Sequence, residues 1–144
     1  VLGLNGAHGN STSHSNGVTI DLTPPALTFF GDGSTTQGKS FDFFATATTF
    51  GANWKIEDKE SGIASLSWSV WEVVRDSIAV QRCDTATLST TAPSASCSYS
   101  FKNGKKYFAK IRVVNGAGRI AEFESSGAIL DTTAPTVIGV RVGS

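Results

Sequence analysis

The chain has 144 residues, of which 40% are apolar, 10% aromatic and 17% charged, and its twelve basic residues balance twelve acidic ones. That balance lacks the basic footprint of a nucleic-acid binder. The apolar share is too high for a disordered chain, and no run approaches the roughly 18 apolar residues that suggest a membrane span. Charge falls below the roughly 25% of an average soluble domain, so Ser, Thr, Gly and Asn must supply the polar surface, a balance common in secreted β-proteins. The chain opens on Val1 without a basic-then-apolar leader, so it is expected to be a processed product or an excerpt.

Taken in chain order, the predicted elements are all strands. Residues 26–30 form a short apolar strand after Thr23-Pro24-Pro25. From Phe41 onward, Phe43, Ala45 and Ala47 share one parity and Asp42, Thr46 and Thr48 the other. Ala64, Leu66, Trp68 and Val70 alternate with Ser65, Ser67 and Ser69, the cleanest period-two run in the chain. Residues 77–83 and 95–101 are weaker strand candidates. Tyr107, Ala109, Ile111 and Val113 alternate with Phe108, Lys110, Arg112 and Val114, and residues 120–130 close the unit. No window carries a helical stripe. Seven short strands separated by turn residues over about 110 residues predict an all-β sandwich.

An internal repeat sets the expected boundaries. Leu4-Asn5-Gly6-Ala7 returns as Val114-Asn115-Gly116-Ala117, an offset of 110 (114 − 4). With no gap, Ser15 falls on Ser125, Gly17 on Gly127, Asp21 on Asp131, Thr23 on Thr133, Pro25 on Pro135 and Gly33-Ser34 on Gly143-Ser144. That is about ten matches in roughly 34 positions, against two or three from composition alone. Residues 1–22 are therefore expected to be the tail of one unit, 23–131 a complete unit and 132–144 the first strand of the next. Pro24, Pro25 and Pro135 fall at these junctions, where a residue that cannot donate to a ladder belongs.

The stretch from Asn103-Gly104 through Tyr107 and the alternating run to Asn115-Gly116-Ala117-Gly118 resembles the penultimate strand of fibronectin type III and related immunoglobulin-like domains. The resemblance implies a seven-stranded immunoglobulin-like sandwich in which Tyr107 is the tyrosine-corner residue, its hydroxyl bonding upstream backbone. Asn53-Trp54, residues 58–63 and residues 125–135 are further similar to extracellular multi-repeat proteins, including adhesins, surface filaments and matrix proteins. The Ser/Thr-rich stretch 84–96 departs from the pattern, as does the irregular strand after Trp71.

Several signals could carry chemistry. Residues 33–40 match the phosphate-loop pattern G-x-x-x-x-G-K-[ST] letter for letter. That motif needs a helix behind it, and an aromatic, Thr-rich period-two run follows, so a Gly-rich connection is expected instead. Cys83 and Cys97 are expected to form a disulfide, as a thiol pair in an extracellular-looking unit does; buried free thiols are the alternative. Asn10-Ser11-Thr12 is a glycosylation sequon, set against chance in a chain rich in Ser and Thr. The hydroxyl-dense stretch 85–98 suits O-linked sugars or a plain solvated loop. Glu57, Asp58 and Glu60 cluster on one loop, either for Ca²⁺ or, as expected, in a turn where Asp58 bonds local amides. Asp21 and Asp131 recur at the junctions, to bridge units through Ca²⁺ or, as expected, to stabilise the turn before Pro. His8 and His14 have no metal-ligand spacing and belong on a surface loop. Parity turns Trp71 and Phe108 outward on neighbouring strands, as a candidate interface.

The chain therefore reads as a structural repeat of an extracellular filament, stalk or adhesin, secreted or at the cell surface. Its partners would be neighbouring copies of the same repeat, with glycans a further option and nucleic acid and membrane insertion excluded. The alternative is a glycan- or protein-binding module, or an accessory domain of a secreted enzyme. No catalytic residue, cofactor or resident metal is assigned. The end segments 1–22 and 132–144, with Val18, Ile20, Val137, Ile138 and Val140, are expected to extend from opposite poles and to pair outside the central domain.

Overall fold

The computed structural model describes residues 2–4, 10–139 and 143, and all regular structure among them is strand. A short antiparallel hairpin, β1 (Leu2–Leu4) and β2 (Asn10–Thr12), stands first. The sandwich comprises β3 (Ala26–Asp32), β4 (Phe43–Phe44), β5 (Thr49–Glu57), β6 (Ile63–Arg75), β7 (Ile78–Leu88), β8 (Ser94–Ser98), β9 (Lys106–Asn115), β10 (Ile120–Glu124) and β11 (Ala128–Leu130). One sheet has the order β3-β5-β8; the other runs β4-β11-β9-β6-β7, with β10 also paired to β9. This strand order is that of an immunoglobulin-like β-sandwich.

Period-two patterning decides which faces meet. Leu66, Trp68 and Val70 of β6 and Tyr107, Ile111 and Val113 of β9 are buried, as their parity requires. They pack on Phe50, Ala52 and Trp54 of β5 and on Leu130. Phe44, Phe50, Phe101 and Tyr107 form an aromatic cluster, edge-on except for the tilted Phe50–Phe101 pair, with centroid separations of 4.8 to 6.1 Å. Trp54 and Trp68 meet across the layers at 6.1 Å. The Tyr107 hydroxyl accepts the Lys102 backbone N–H at 2.9 Å, which is the tyrosine corner.

Two elements differ from the sequence expectation. The strand expected from Phe41 shrinks to the two residues of β4, paired in parallel with β11, and the second long strand is β5 instead. β5 is buried on both faces from Phe50 to Trp54, because the 33–40 loop folds over its outer side. A Cβ added at Gly51 would sit 3.2 Å from the Thr35 amide nitrogen. Burial on both faces removes the alternation that marks a strand in sequence. The closing strand, expected as one run over 120–130, is split into β10 and β11 by a bulge at residues 125–127, where Gly127 has φ +83°. Counting β10 and β11 as one interrupted strand and setting β4 aside leaves seven principal strands.

Cys83 on β7 and Cys97 on β8 are disulfide-bonded with Cα atoms 6.4 Å apart. The bridge joins the edge strand of one sheet to the edge strand of the other. Among the described residues, no helix is long and apolar enough to cross a membrane.

Candidate functional site

Two surfaces gather the residues singled out from sequence. The first is the pole where residues 21–25 enter β3. Asp21 is 4% exposed although its neighbours Ile20 and Leu22 are 78% and 69% exposed, an inversion of the usual preference. Its Oδ1 accepts the Thr23 N–H at 2.9 Å and lies 3.0 Å from the Thr23 hydroxyl, an Asx turn that shapes the entry to Pro24-Pro25. Its Oδ2 accepts the Ser61 hydroxyl and, at 2.9 Å, an N–H of the Asn115 side chain.

Asn115, the last residue of β9 and 1% exposed, is the hub of this pole. Its amide group also bonds the Thr23 carbonyl at 2.8 Å and Asp58 Oδ2 at 3.0 Å, while its Oδ1 accepts the Ala117 and Arg119 amides. Asp58 Oδ1 accepts the amides of Glu60, Ser61 and Gly62. Close packing fixes the loops together: the Gly116 N–H bonds the Gly62 carbonyl at 3.0 Å, and a Cβ at Gly116 would collide with the Ser61 carbonyl. The Ser61 hydroxyl, aided by Thr23 and against the effect of burial, holds the Asp21 carboxyl down to about 2. The Ser61 amide and then Asn115 lower that of Asp58. These carboxylates are thus engaged by protein donors, and among the described residues no group of three or more His, Cys, Asp or Glu is arranged to hold a metal. The turn expected at Asp58 forms. Of the acidic cluster, Asp58 and Glu60 join this network, and Glu57 pairs with Lys55 at 3.3 Å.

At the opposite junction Asp131 repeats the Asp21 turn. Its Oδ1 accepts the Thr133 N–H at 2.9 Å and the Thr133 hydroxyl, which lowers its pKa through that hydroxyl first and the amide second. Asp131 is exposed, and no other residue completes a clamp around it among the bonds described.

The second surface is the outer face of β6 and β9. Trp71 and Phe108 are direct cross-strand neighbours there, as their parity requires. The Lys110 ammonium lies 4.5 Å from the Trp71 ring centroid and 5.5 Å from that of Phe108. Trp71 Nε1 donates to the Ser69 hydroxyl at 2.8 Å. Beside Trp71 runs an open trough of about 470 Å³ lined by Ser67, Thr85, Arg112, Glu122 and Glu124. Phe108 is only 9% exposed, covered by its own chain, so the expected interface pair narrows to Trp71.

The remaining candidates are placed as follows. The 33–40 loop is organised around Asn53, whose amide group bonds the carbonyls of Ser34 and Lys39 while its Oδ1 accepts the Gly38 N–H. No helix follows the loop, so its letters spell a connection folded over β5. Asn10 lies in β2, but its side chain, like His8 and Val140, is outside the described residues. His14 is exposed. Sequence reasoning passed over Asp32 and missed the buried hydrogen-bonding roles of Asn53 and Asn115. Each is a buried polar residue within or ending a strand, which only a buried-polar criterion could flag.

No family model matches the chain, and no curated protein matches it. A solved structure described as "Myokine structure" is similar at 9% identity and a TM-score of 0.46, covering 74% of this chain and 99% of that one. The fold assignment rests on the strand order and core described above.

Proposed function

We propose that this chain is a segment of a tandem array of immunoglobulin-like units in an extracellular filament, stalk or adhesin. The units would supply length and display, and would be held end to end by neighbouring copies. The observation that carries the reading is the pair of ends. The β1–β2 hairpin pairs Leu2 with Thr12, Gly3 with Ser11 and Leu4 with Asn10. Moved along by 110 residues (114 − 4), these become Arg112 with Glu122, Val113 with Ala121 and Val114 with Ile120, the register of β9 with β10. Gly17 and its counterpart Gly127 share a left-handed conformation, with φ +79° and +83°. Asp21 and Asp131 share the same turn.

Burial separates what geometry matches. Ala128 and Leu130 are fully buried, while their counterparts Val18 and Ile20 are 90% and 78% exposed. At the other end Val137, the counterpart of the half-buried Leu27 (137 − 110), is 78% exposed, and residues 131–139 pair with nothing regular. Core residues without a core are what a cut through an array leaves behind. The Cys83–Cys97 bridge supports an oxidising compartment. A second reading, a glycan- or protein-binding module, is favoured by the trough beside Trp71 and Lys110.

Amide hydrogen exchange on the intact chain tests the choice. The array reading expects residues 14–20 and 134–139 to exchange without protection while β5, β6 and β9 are slow. Strong protection of residues 14–20 would make them part of one self-contained domain and favour the binding module.

A further inference from the structure

The pole around Asn115 is a built receptor with its occupant already seated. Two segments make it, the 58–62 loop after β5 and the end of β9, and the incoming residues 21–23 fill it. The receptor offers donors where the incoming segment offers acceptors. The Ser61 hydroxyl and the Asn115 amide point at the Asp21 carboxylate, and the same amide reaches the Thr23 carbonyl. The occupant is preshaped by its own turn, in which one carboxylate oxygen binds Thr23 and the other is left for the receptor. This seating buries Asp21 and leaves Ile20 and Leu22 in solvent.

Residues 131–133 carry the same preshaped turn. Asp131 Oδ1 is spent on Thr133, and the exposed carboxylate faces no receptor among the bonds described. We propose that Asp131-Thr132-Thr133 is the ligand for the same Ser61–Asn115 clamp on a following copy of this unit, which makes the joint between units a fixed polar junction rather than a free hinge. This rests on the tandem reading above. It adds that order along one chain is enforced. The clamp of a folded unit is filled by its own leading Asp, so Asp131 of a separate chain finds it occupied. Separate chains therefore do not associate through this site, and only a unit that begins with Asp131 can receive it.

A two-unit chain tests this: the full chain through Pro135 continued directly by residues 26–144, so that residues 131–135 stand where 21–25 stand in the second copy. The probe is that second copy itself, and the measurement is backbone ¹⁵N relaxation of both units. We expect the pair to tumble as one elongated body. We expect Asp131→Ala to abolish the joint tumbling while changing amide signals only around residues 131–133 and the 58–62 and 115–119 segments of the second copy, with the rest of each unit's amide spectrum unchanged. Asp131 is exposed in the single unit, so there the same substitution should leave the fold intact. Ser61→Ala in the second copy alone, which removes the clamp's hydroxyl donor, should loosen the junction while that copy stays folded. Two folded copies that tumble independently with Asp131 in place, or joint tumbling that survives Asp131→Ala, would overturn the clamp and leave the tandem reading standing. A source polypeptide without further units would instead remove the tandem reading, whatever this junction does.

Discussion

Asp32 offers the sharpest test of how the closing strand is held. It is fully buried at the end of β3. Its carboxylate accepts the Ser125 hydroxyl at Oδ1 and the Gly127 N–H at 2.7 Å at Oδ2, with Ser126 more distant at 3.4 Å. These contacts lock the bulge between β10 and β11. Asp32→Ala leaves the Gly127 amide buried without a partner and deletes a charge-assisted bond from Ser125. Ser125 still has the Ala109 carbonyl at 3.3 Å as an alternative acceptor. The sum should be a loss of about 2–4 kcal/mol. Asp32→Asn should be far milder, because one side-chain oxygen can keep Gly127 and the amide can donate to Ser125. Burial raises the Asp32 pKa above the ordinary 3.8 despite those bonds. The folded state therefore holds the proton more tightly than the unfolded state. Its contribution is greatest at low pH and falls as pH rises from 3.8 through the raised folded value. The Asn variant lacks that slope, so its stability relative to the native chain should improve as pH rises across this window. Urea denaturation with an unchanged slope measures all three. An Ala variant within about 1 kcal/mol of the native chain, or an Asn variant as damaged as the Ala variant, would refute the lock.

Three further outcomes are expected. Replacing Cys83 and Cys97 together by Ala opens a loop with a sequence separation of 14; the chain-entropy model gives a loss of about 3 kcal/mol. Thermal unfolding should then drop by about 10 °C. Tyr107→Phe removes the acceptor of the Lys102 amide and should cost about 1 kcal/mol in the same assay. Asp21, Asp58 and Asp131 all have folded values below the ordinary 3.8. Their contribution is therefore present above 3.8 and lost as pH falls, through about 2 for Asp21. An NMR acid titration should show residues 21–25 released in that window while β6 and β9 remain ordered.

Where a strand has one face in water, its sequence displays it. The parities of β6 and β9 identified Leu66, Trp68, Val70, Tyr107, Ile111 and Val113 as core, and all are buried. β5 escaped because a loop covers its outer face, and with both faces buried no alternation survives. The disulfide was legible from the thiol pair in a Ser/Thr-rich β pattern. The clamp was not. Asn115 was recognisable only as part of a repeated Asn-Gly-Ala, and its partners Asp21, Thr23 and Asp58 lie 94, 92 and 57 residues away. Nothing local in a sequence reveals that an Asx turn at one junction docks onto the end of a distant strand. The hold of Asp32 on the 125–127 bulge is equally non-local, since that carboxylate and Gly127 are separated by 95 residues. Trp71 lies beside Lys110 on its sheet, and the covering of Phe108 depends on the fold of its own chain around it.

The central claim, that the two ends belong to neighbouring units, is tested most directly by sequencing the source polypeptide on both sides of residues 1–144. The account predicts a segment before Val1 that repeats residues 23–110, and a segment after Ser144 that repeats residues 35–131. The following segment should carry an Asn and an Asp at the positions of Asn115 and Asp58, ready to receive Asp131. Flanks with no relation to residues 23–131 would contradict it.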